Sequence, residues 1–329
     1  MTYREAIRKA LFDEMTSDEN VFLMGEDIGK YGGCFHVTQG LFDAFPERVL
    51  DTPVSEEAFT GLAVGCAMLG LRPVVEVMYA DFYTLIIDPL VNHACKVHFM
   101  SGGAFSCPLV IRLPEGSGTG HGPQHTQSPQ AVFFNEMGLK IFAPSNANDA
   151  YHLLRMAIRD NNPVLFFENK VLYDKVGEIS KELPENMSAS VISIPGLDVG
   201  RSNPDLVIIS YSSAVYTAIN VAERLGKKGI SSAVIDLRIL KPLDKKTILK
   251  YAGKAGRVAV IQDAPSDLSM APHIASVIGT DEKLFGKLKR PVLLLGGSDI
   301  PVPFSKELEK NVKADEEKCY REILKKLFQ

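Results

Sequence analysis

The chain has 329 residues, 46% of them hydrophobic and 23% charged, which is enough for two domains with a core each. A formal net charge of -4 supplies no basic field for nucleic acid and no polybasic membrane patch. No apolar run reaches membrane-spanning length, and five scattered cysteines without a CxxC pair disfavour disulfide, zinc and dithiol frameworks.

The opening MTYREAIRKALFDEM has the pattern of an amphipathic helix over roughly residues 2–17, not of a secretory signal, so a cytoplasmic protein is expected. The strand VFLMGED follows. RVLDTPVSEEAFTGLAVGCAMLG then reads as strand end, turn and helix, RPVVEVMY as a strand, and DFYTLIIDPLVNHACKVHFM mostly as helix. CPLVIRLP is a strand that runs into the glycine-rich GSGTGHGPQHTQ, with a helix expected to start at Ser128-Pro129. LKIFAPS, NANDAYHLLRMAIRD and NPVLFFEN complete a strand–helix–strand series. Residues 178–204 are rich in Pro, Ser, Asn and charge and read as a linker with one short strand. The alternation then restarts with DLVIISYS, a helix capped by Gly229, SSAVIDLRIL, DKKTILKYAGKAG, RVAVIQDA and RPVLLLGG. Apolar strands alternating with helices predict an α/β protein with two parallel-sheet domains. The expected boundaries are 1–185 for the first domain, 186–204 for the linker and 205–329 for the second.

Three stretches carry chemistry. The glycine-rich loop follows a strand, as a dinucleotide fingerprint does, but its glycines and prolines forbid the helix that would meet phosphate. His121 and His125 are four apart, yet Gly122 and Pro123 deny them the helix of a zinc site. What remains is a long irregular loop whose backbone passes close to something and which delivers His125; a surface loop with an idle histidine stays open. In DTPVSEE, Glu56 and Glu57 fall in a first helical turn, where acids complement the macrodipole. The body of that helix is apolar all round, which predicts burial, with Gly61 and Gly65 allowing close packing. A carboxylate at the mouth of a buried helix would need a partner or a raised pKa. In EVMYADF, Asp81 is a helix-capping candidate, and Phe82 suits either core packing or stacking on a flat ligand. Glu56, Phe82 and His125 all follow predicted strands, where parallel sheets bind ligands.

These stretches together, with GEDIGKYGG, QGL, MSGG, PLVIR, DNNPVLFFENKVLY and VIDLRILKPLD, resemble the beta subunit of the thiamine-diphosphate-dependent first component of 2-oxo acid dehydrogenase complexes. The group includes pyruvate, branched-chain 2-oxo acid and acetoin dehydrogenases. The resemblance spans essentially the whole chain and implies a transketolase-like pyrimidine-binding domain followed by a transketolase C-terminal domain. It implies that Glu56 hydrogen-bonds the aminopyrimidine of thiamine diphosphate, that Phe82 packs on that ring and that Met78 lines the pocket beside it. It implies that His125 is the active-site histidine of oxidative decarboxylation and acyl transfer to a lipoyl domain. It also implies a potassium site formed by Leu109, Ala157, Ile158, Asp160 and Asn162, largely through backbone carbonyls.

The Gly-Asp-Gly motif with which such enzymes hold magnesium and diphosphate does not occur here. The resemblance therefore implies a separate alpha subunit that holds the magnesium, a heterotetramer, and a C-terminal domain that docks a lipoyl acyltransferase core. An acetoin enzyme and a non-catalytic scaffold subunit are the alternatives. The sequence departs from the family pattern at Thr126, usually serine, and at Pro89, usually glutamine, where the helix is expected to kink or start late. It departs further in IQDAPSDLSMAP and LLLGGSDIPVPFS of the second domain.

Overall fold

A computed structural model of the chain describes residues 1–181, 189–192 and 203–329. Most of the expected linker lies outside the described residues; within it, Ser190–Ile192 forms the expected short strand. The chain divides into two compact units, Met1–Gly116 with Val132–Glu185, and Ser117–Ala131 with Asn186–Gln329. The glycine-rich loop therefore groups with the C-terminal unit.

The first unit is built on β1 (Val21–Gly25), β2 (Val49–Asp51), β3 (Arg72–Glu76), β4 (Val110–Glu115), β5 (Lys140–Phe142) and β6 (Val164–Asn169). They run in the order β5-β6-β4-β3-β1-β2, every pair parallel. β1, β4 and β6 are buried along their whole length. That is why they read as mainly apolar runs without alternation, broken only by the charged or polar Arg112, Glu115, Glu168 and Asn169: a parallel sheet covered on both faces has no polar side.

The helix Tyr3–Ser17 opens with a capping box between Thr2 and Glu5, which satisfies two of its orphan amides. It packs against the helix Ala147–Arg159. Between them Glu14 is buried, and its charge is answered by Arg155 at 2.6 Å and Arg159 at 2.8 Å.

The segment expected as one helix after β3 is broken into a 3-10 turn (Ala80–Phe82), a short α-helix (Tyr83–Asp88), a wide turn of π type (Pro89–Ala94) and a last helical turn (Val97–Met100). The break comes at Pro89, which has no N–H to give to the preceding turn. Asp81 does not cap a helix, as expected from sequence, but sits inside the 3-10 turn, which Tyr79 precedes.

Arg112 on β4 is fully buried and makes two bonds to Glu168 on β6, Nε to Oε1 at 2.7 Å and Nη2 to Oε2 at 2.8 Å. Its third partner is Glu76 at the end of β3. Tyr173 donates to Glu168 at 2.9 Å. Burial pulls the guanidinium pKa down, but the two carboxylates outweigh it and raise the balance. Burial pushes the Glu76 carboxyl up against the pull of Arg112.

The second unit carries β7 (Ser190–Ile192), β8 (Leu206–Ser210), β9 (Ser232–Asp236), β10 (Ile239–Lys241), β11 (Val258–Pro265) and β12 (Leu293–Gly297). Five of these form a sheet in the order β12-β11-β8-β9-β7, parallel except for β7 at the edge. Leu206, Ile208, Val234, Ile261 and Ile323 share its core. The helix expected to be capped by Gly229 ends earlier, at Gly226, so Gly229 belongs to the turn that follows. The helix Lys245–Ala255 starts on Asp244, which accepts from Thr247 N at 3.0 Å, and stops at Gly256 in the left-handed region.

Candidate active site

β2 and β3 lie on opposite sides of β1. From β1 the chain goes on to β2 and from β3 to β4, in opposite directions along the sheet, and it is in the crevice outside the carboxyl ends of such a strand pair that open parallel sheets bind ligands. Glu26 follows β1 directly, Thr52–Glu56 follow β2, and Val77–Phe82 follow β3.

Glu56 is the first residue of the helix Glu56–Met68, and Ser55 before it makes no side-chain cap. The macrodipole favours an acid at both first-turn positions. The two acids nevertheless part company: Glu57 is exposed, while Glu56 keeps 6% of its surface. Helix capping accounts for the first and leaves the second unexplained.

Glu26 is a residue that the sequence did not single out. It too is 6% exposed, and its Oε1 has no hydrogen-bonding partner. Burial, then the carboxylates of Glu56 and Asp27, push its carboxyl up to about 7. The crevice thus holds two neighbouring acids, one of which keeps a proton near neutral pH. The buried hydroxyls of Thr52 and Thr60 have no partner either. Buried polar atoms left without partners are uncommon, and these three follow β1 and β2 at their carboxyl ends.

Phe82 is half-buried at the end of its 3-10 turn, edge-on to Tyr79 with ring centroids 5.8 Å apart. Tyr79 is edge-on to Phe35 at 5.4 Å. Met78 is half-buried just beyond β3, and the helix Tyr83–Asp88 packs on the Glu56 helix. Glu56, Met78 and Phe82 all follow strands of the first unit at their carboxyl ends.

The Glu56 helix departs from one expectation. It is not buried all round: Leu62 is 58% exposed, and a side chain added at Gly61 or Gly65 would meet nothing within 4 Å. Only the Phe59, Ala63 and Ala67 face enters the core of this chain.

His125 is half-buried on the loop that groups with the second unit. Its N–H donates to Gly122 O at 3.4 Å, and the buried Thr126 hydroxyl donates to the same oxygen at 2.5 Å. The helix expected at Ser128-Pro129 is only a 3-10 turn, Gln130–Phe133.

The residues of the expected cation site are also brought together. Leu109 O accepts from Val164 N at 2.8 Å, and Ala157 O from Asp160 N at 3.2 Å. Arg72 donates to Ile158 O at 3.0 Å and to Asp160 O at 3.2 Å. Burial pushes the Asp160 carboxyl up, but Lys140 and Asn162 outweigh it and hold it low. Backbone carbonyl oxygens are ligands of the kind a hard cation takes, although Ile158 O and Asp160 O already face the Arg72 guanidinium. Arg72 and Lys140, which sequence reasoning missed, bring positive charge to the same corner. Among the described residues, no three His, Cys, Asp or Glu side chains come together as they would around a metal ion.

The transketolase pyrimidine binding domain matches residues 1–175, and the transketolase C-terminal domain matches residues 196–319. The chain is 41% identical to the mitochondrial pyruvate dehydrogenase E1 component subunit beta-2 of Oryza sativa subsp. japonica, over 98% of this chain and 87% of that one. It is 40% identical to the 2-oxoisovalerate dehydrogenase subunit beta of Bacillus subtilis, over 94% of this chain and 93% of that one. The chain belongs to the family of 2-oxo acid dehydrogenase beta subunits. Its fold is shared with a solved structure described as a split gene transketolase, inactive beta4 tetramer, with a TM-score of 0.79 at 19% identity over 99% of this chain and 98% of that one. Family members acting on pyruvate and on a branched 2-oxo acid are about equally similar to this chain, so the likeness does not choose between the two substrates. No helix among the described residues is long and apolar enough to cross a membrane.

Proposed function

We propose that this beta subunit forms half of a thiamine-diphosphate-dependent enzyme that oxidatively decarboxylates a 2-oxo acid and passes the acyl group to a lipoyl domain. The observation that carries the proposal is the buried Glu56 at a helix mouth, beside a Glu26 that keeps its proton near neutral pH. The partnerless oxygens there fit a polar heteroaromatic ring. Thiamine diphosphate, when bound, supplies the acidic thiazolium carbon and the electron sink for decarboxylation. The residues of this chain hold and tune it. Glu56 would accept a hydrogen bond from the pyrimidine ring and favour its protonated form. Phe82 would pack on the ring face and Met78 would close the pocket beside it. Glu26 keeps a proton next to Glu56 that can balance charge there. His125 would act as the catalytic acid and base of acyl transfer, giving a proton to the departing lipoyl sulfur. Leu109, Ala157, Ile158, Asp160 and Asn162 would hold potassium, bracing the corner where β4 and β6 begin.

The partner is an alpha subunit that binds magnesium and diphosphate, in a heterotetramer that engages a lipoyl acyltransferase core, in the cytoplasm. The open face of the Glu56 helix supports a partner, as does Phe99 at 90% exposure. The sequence division 1–185, 186–204 and 205–329 remains our assignment of domains and linker.

The test is co-expression with a second chain carrying the Gly-Asp-Gly motif, then assay of pyruvate, branched 2-oxo acids and acetoin with an artificial electron acceptor. Turnover of one 2-oxo acid that needs both chains and thiamine diphosphate is expected. Turnover of acetoin alone would move the chain to that branch, and an assembled but inert complex would leave it a scaffold.

A further inference from the structure

The glycine-rich loop has no ladder of its own, and the second unit shows what its backbone lies against. Glu309, 2% exposed, accepts from Gly118 N through Oε1 at 2.5 Å and from Gly120 N through Oε2 at 3.0 Å. One carboxylate thus takes two amides of the loop, one on each oxygen. A side-chain carbon at Gly120 would come within 3.3 Å of Lys306, and one at Gly122 would stand 2.3 Å from the Phe304 ring. Both glycines have positive φ, 76° and 75°, a region where side chains are strained. The loop is therefore seated on the segment 304–309, and from Gly122 the hydrogen bonds of His125 and Thr126 carry that seating onward.

We propose that Glu309 is the positioning residue of His125. It does not touch reacting atoms. It holds the loop by charge-assisted hydrogen bonds, which are shorter and stronger than neutral ones, and so removes the freedom that a glycine-rich segment otherwise keeps. The proposal rests on the catalytic role given to His125 above. It adds that the C-terminal segment controls the reach of that histidine from 184 residues away in sequence, counting from His125 to Glu309.

The test uses the assembled two-chain enzyme carrying Glu309→Gln. Glutamine keeps the shape but sets an NH2 group against one of the two loop amides. Amide hydrogen exchange should accelerate at Gly118 and Gly120. Acylation of a free lipoyl domain should fall about 10–100-fold, the scale of one or two lost charge-assisted bonds, with KM for the 2-oxo acid unchanged. The double variant His125→Ala/Glu309→Gln should be no slower than His125→Ala alone, because both changes remove the same act.

Unaltered exchange at the two glycines, or losses that multiply in the double variant, would overturn the proposal. If Glu309→Gln does not assemble, Gly120→Ala displaces the loop while leaving the carboxylate in place. It should reproduce the same split between lipoyl acylation and KM, and a uniform loss would again overturn the proposal. Full activity of His125→Ala would remove the catalytic role assigned to His125; the exchange measurement then still decides, separately, whether Glu309 holds the loop.

Discussion

Replacing Glu26 with glutamine isolates the proton held at the switch point of the first sheet. Burial, followed by the Glu56 and Asp27 carboxylates, pushes this carboxyl from 4.5 to about 7. An acid with a raised folded pKa binds its proton more tightly in the folded state than in the unfolded one. Its presence therefore costs nothing below pH 4.5, costs progressively more as pH rises through the window to about 7, and costs a constant amount above it. At about 1.4 kcal/mol per pH unit the full difference is about 3.5 kcal/mol. Screening by solvent and relaxation of the side chain bring the expected figure to about 1–2 kcal/mol. Glutamine has the same shape and no charge at any pH. The variant should match the parent near pH 4.5 and exceed its stability by about 1–2 kcal/mol at pH 8. Urea denaturation of the purified chain at four or more pH values measures this difference. Two stability curves that run parallel across the whole range would refute the reasoning and make Glu26 an ordinary solvated acid.

Glu56→Gln should leave the fold intact and reduce turnover of the two-chain enzyme about 10–100-fold, the worth of one charge-assisted contact; near-normal turnover would return the residue to helix capping. Arg112→Met should destabilise the first unit by about 3–5 kcal/mol, because Glu76 and Glu168 are left buried together without their cation. A thermal melt unchanged from the parent would show that the carboxylates, not the arginine, hold that cluster. The chain by itself should bind thiamine diphosphate weakly, since the magnesium and diphosphate half belongs to the alpha subunit; tight magnesium-dependent binding in calorimetry of the lone chain would sink the shared-site reading.

The strands were legible because burial on both faces erases any alternation. Val21–Gly25, Val164–Asn169 and Leu206–Ser210 are such runs, and all three are strands. The site was legible only in part. DTPVSEE shows two acids at a helix start, and nothing local says that Glu56 turns inward while Glu57 meets solvent. Glu26 reads as one of two acids after a strand. Its raised pKa depends on β2 and β3 flanking β1, which is a matter of strand order and not of neighbours in sequence. Arg72 and Lys140 were missed for the same reason: each reaches the loop after Arg159 from a different strand. The long helix breaks first at Pro89, of which the sequence did warn, and again at Cys95 and Lys96, of which it did not.

The glycine-rich loop shows the limit most clearly. Its composition spoke against a phosphate cradle and a zinc helix and allowed something to lie close to its backbone, with an idle surface loop left open. It could not say what, because the answer is a carboxylate 191 residues beyond Gly118. Nothing in LEKN marks Glu309 as different from the acids around it. Its neighbour Glu307 pairs with Lys310 in solvent, whereas Glu309 is buried under the loop. Local pattern can identify a segment that needs an anchor, such as glycines at alternate positions with no helix or strand period. The anchor itself is fixed by the tertiary fold. A residue of this kind is found by asking which buried carboxylate accepts from the backbone amides of a distant loop, and here that question leads from Glu309 to the loop that carries His125.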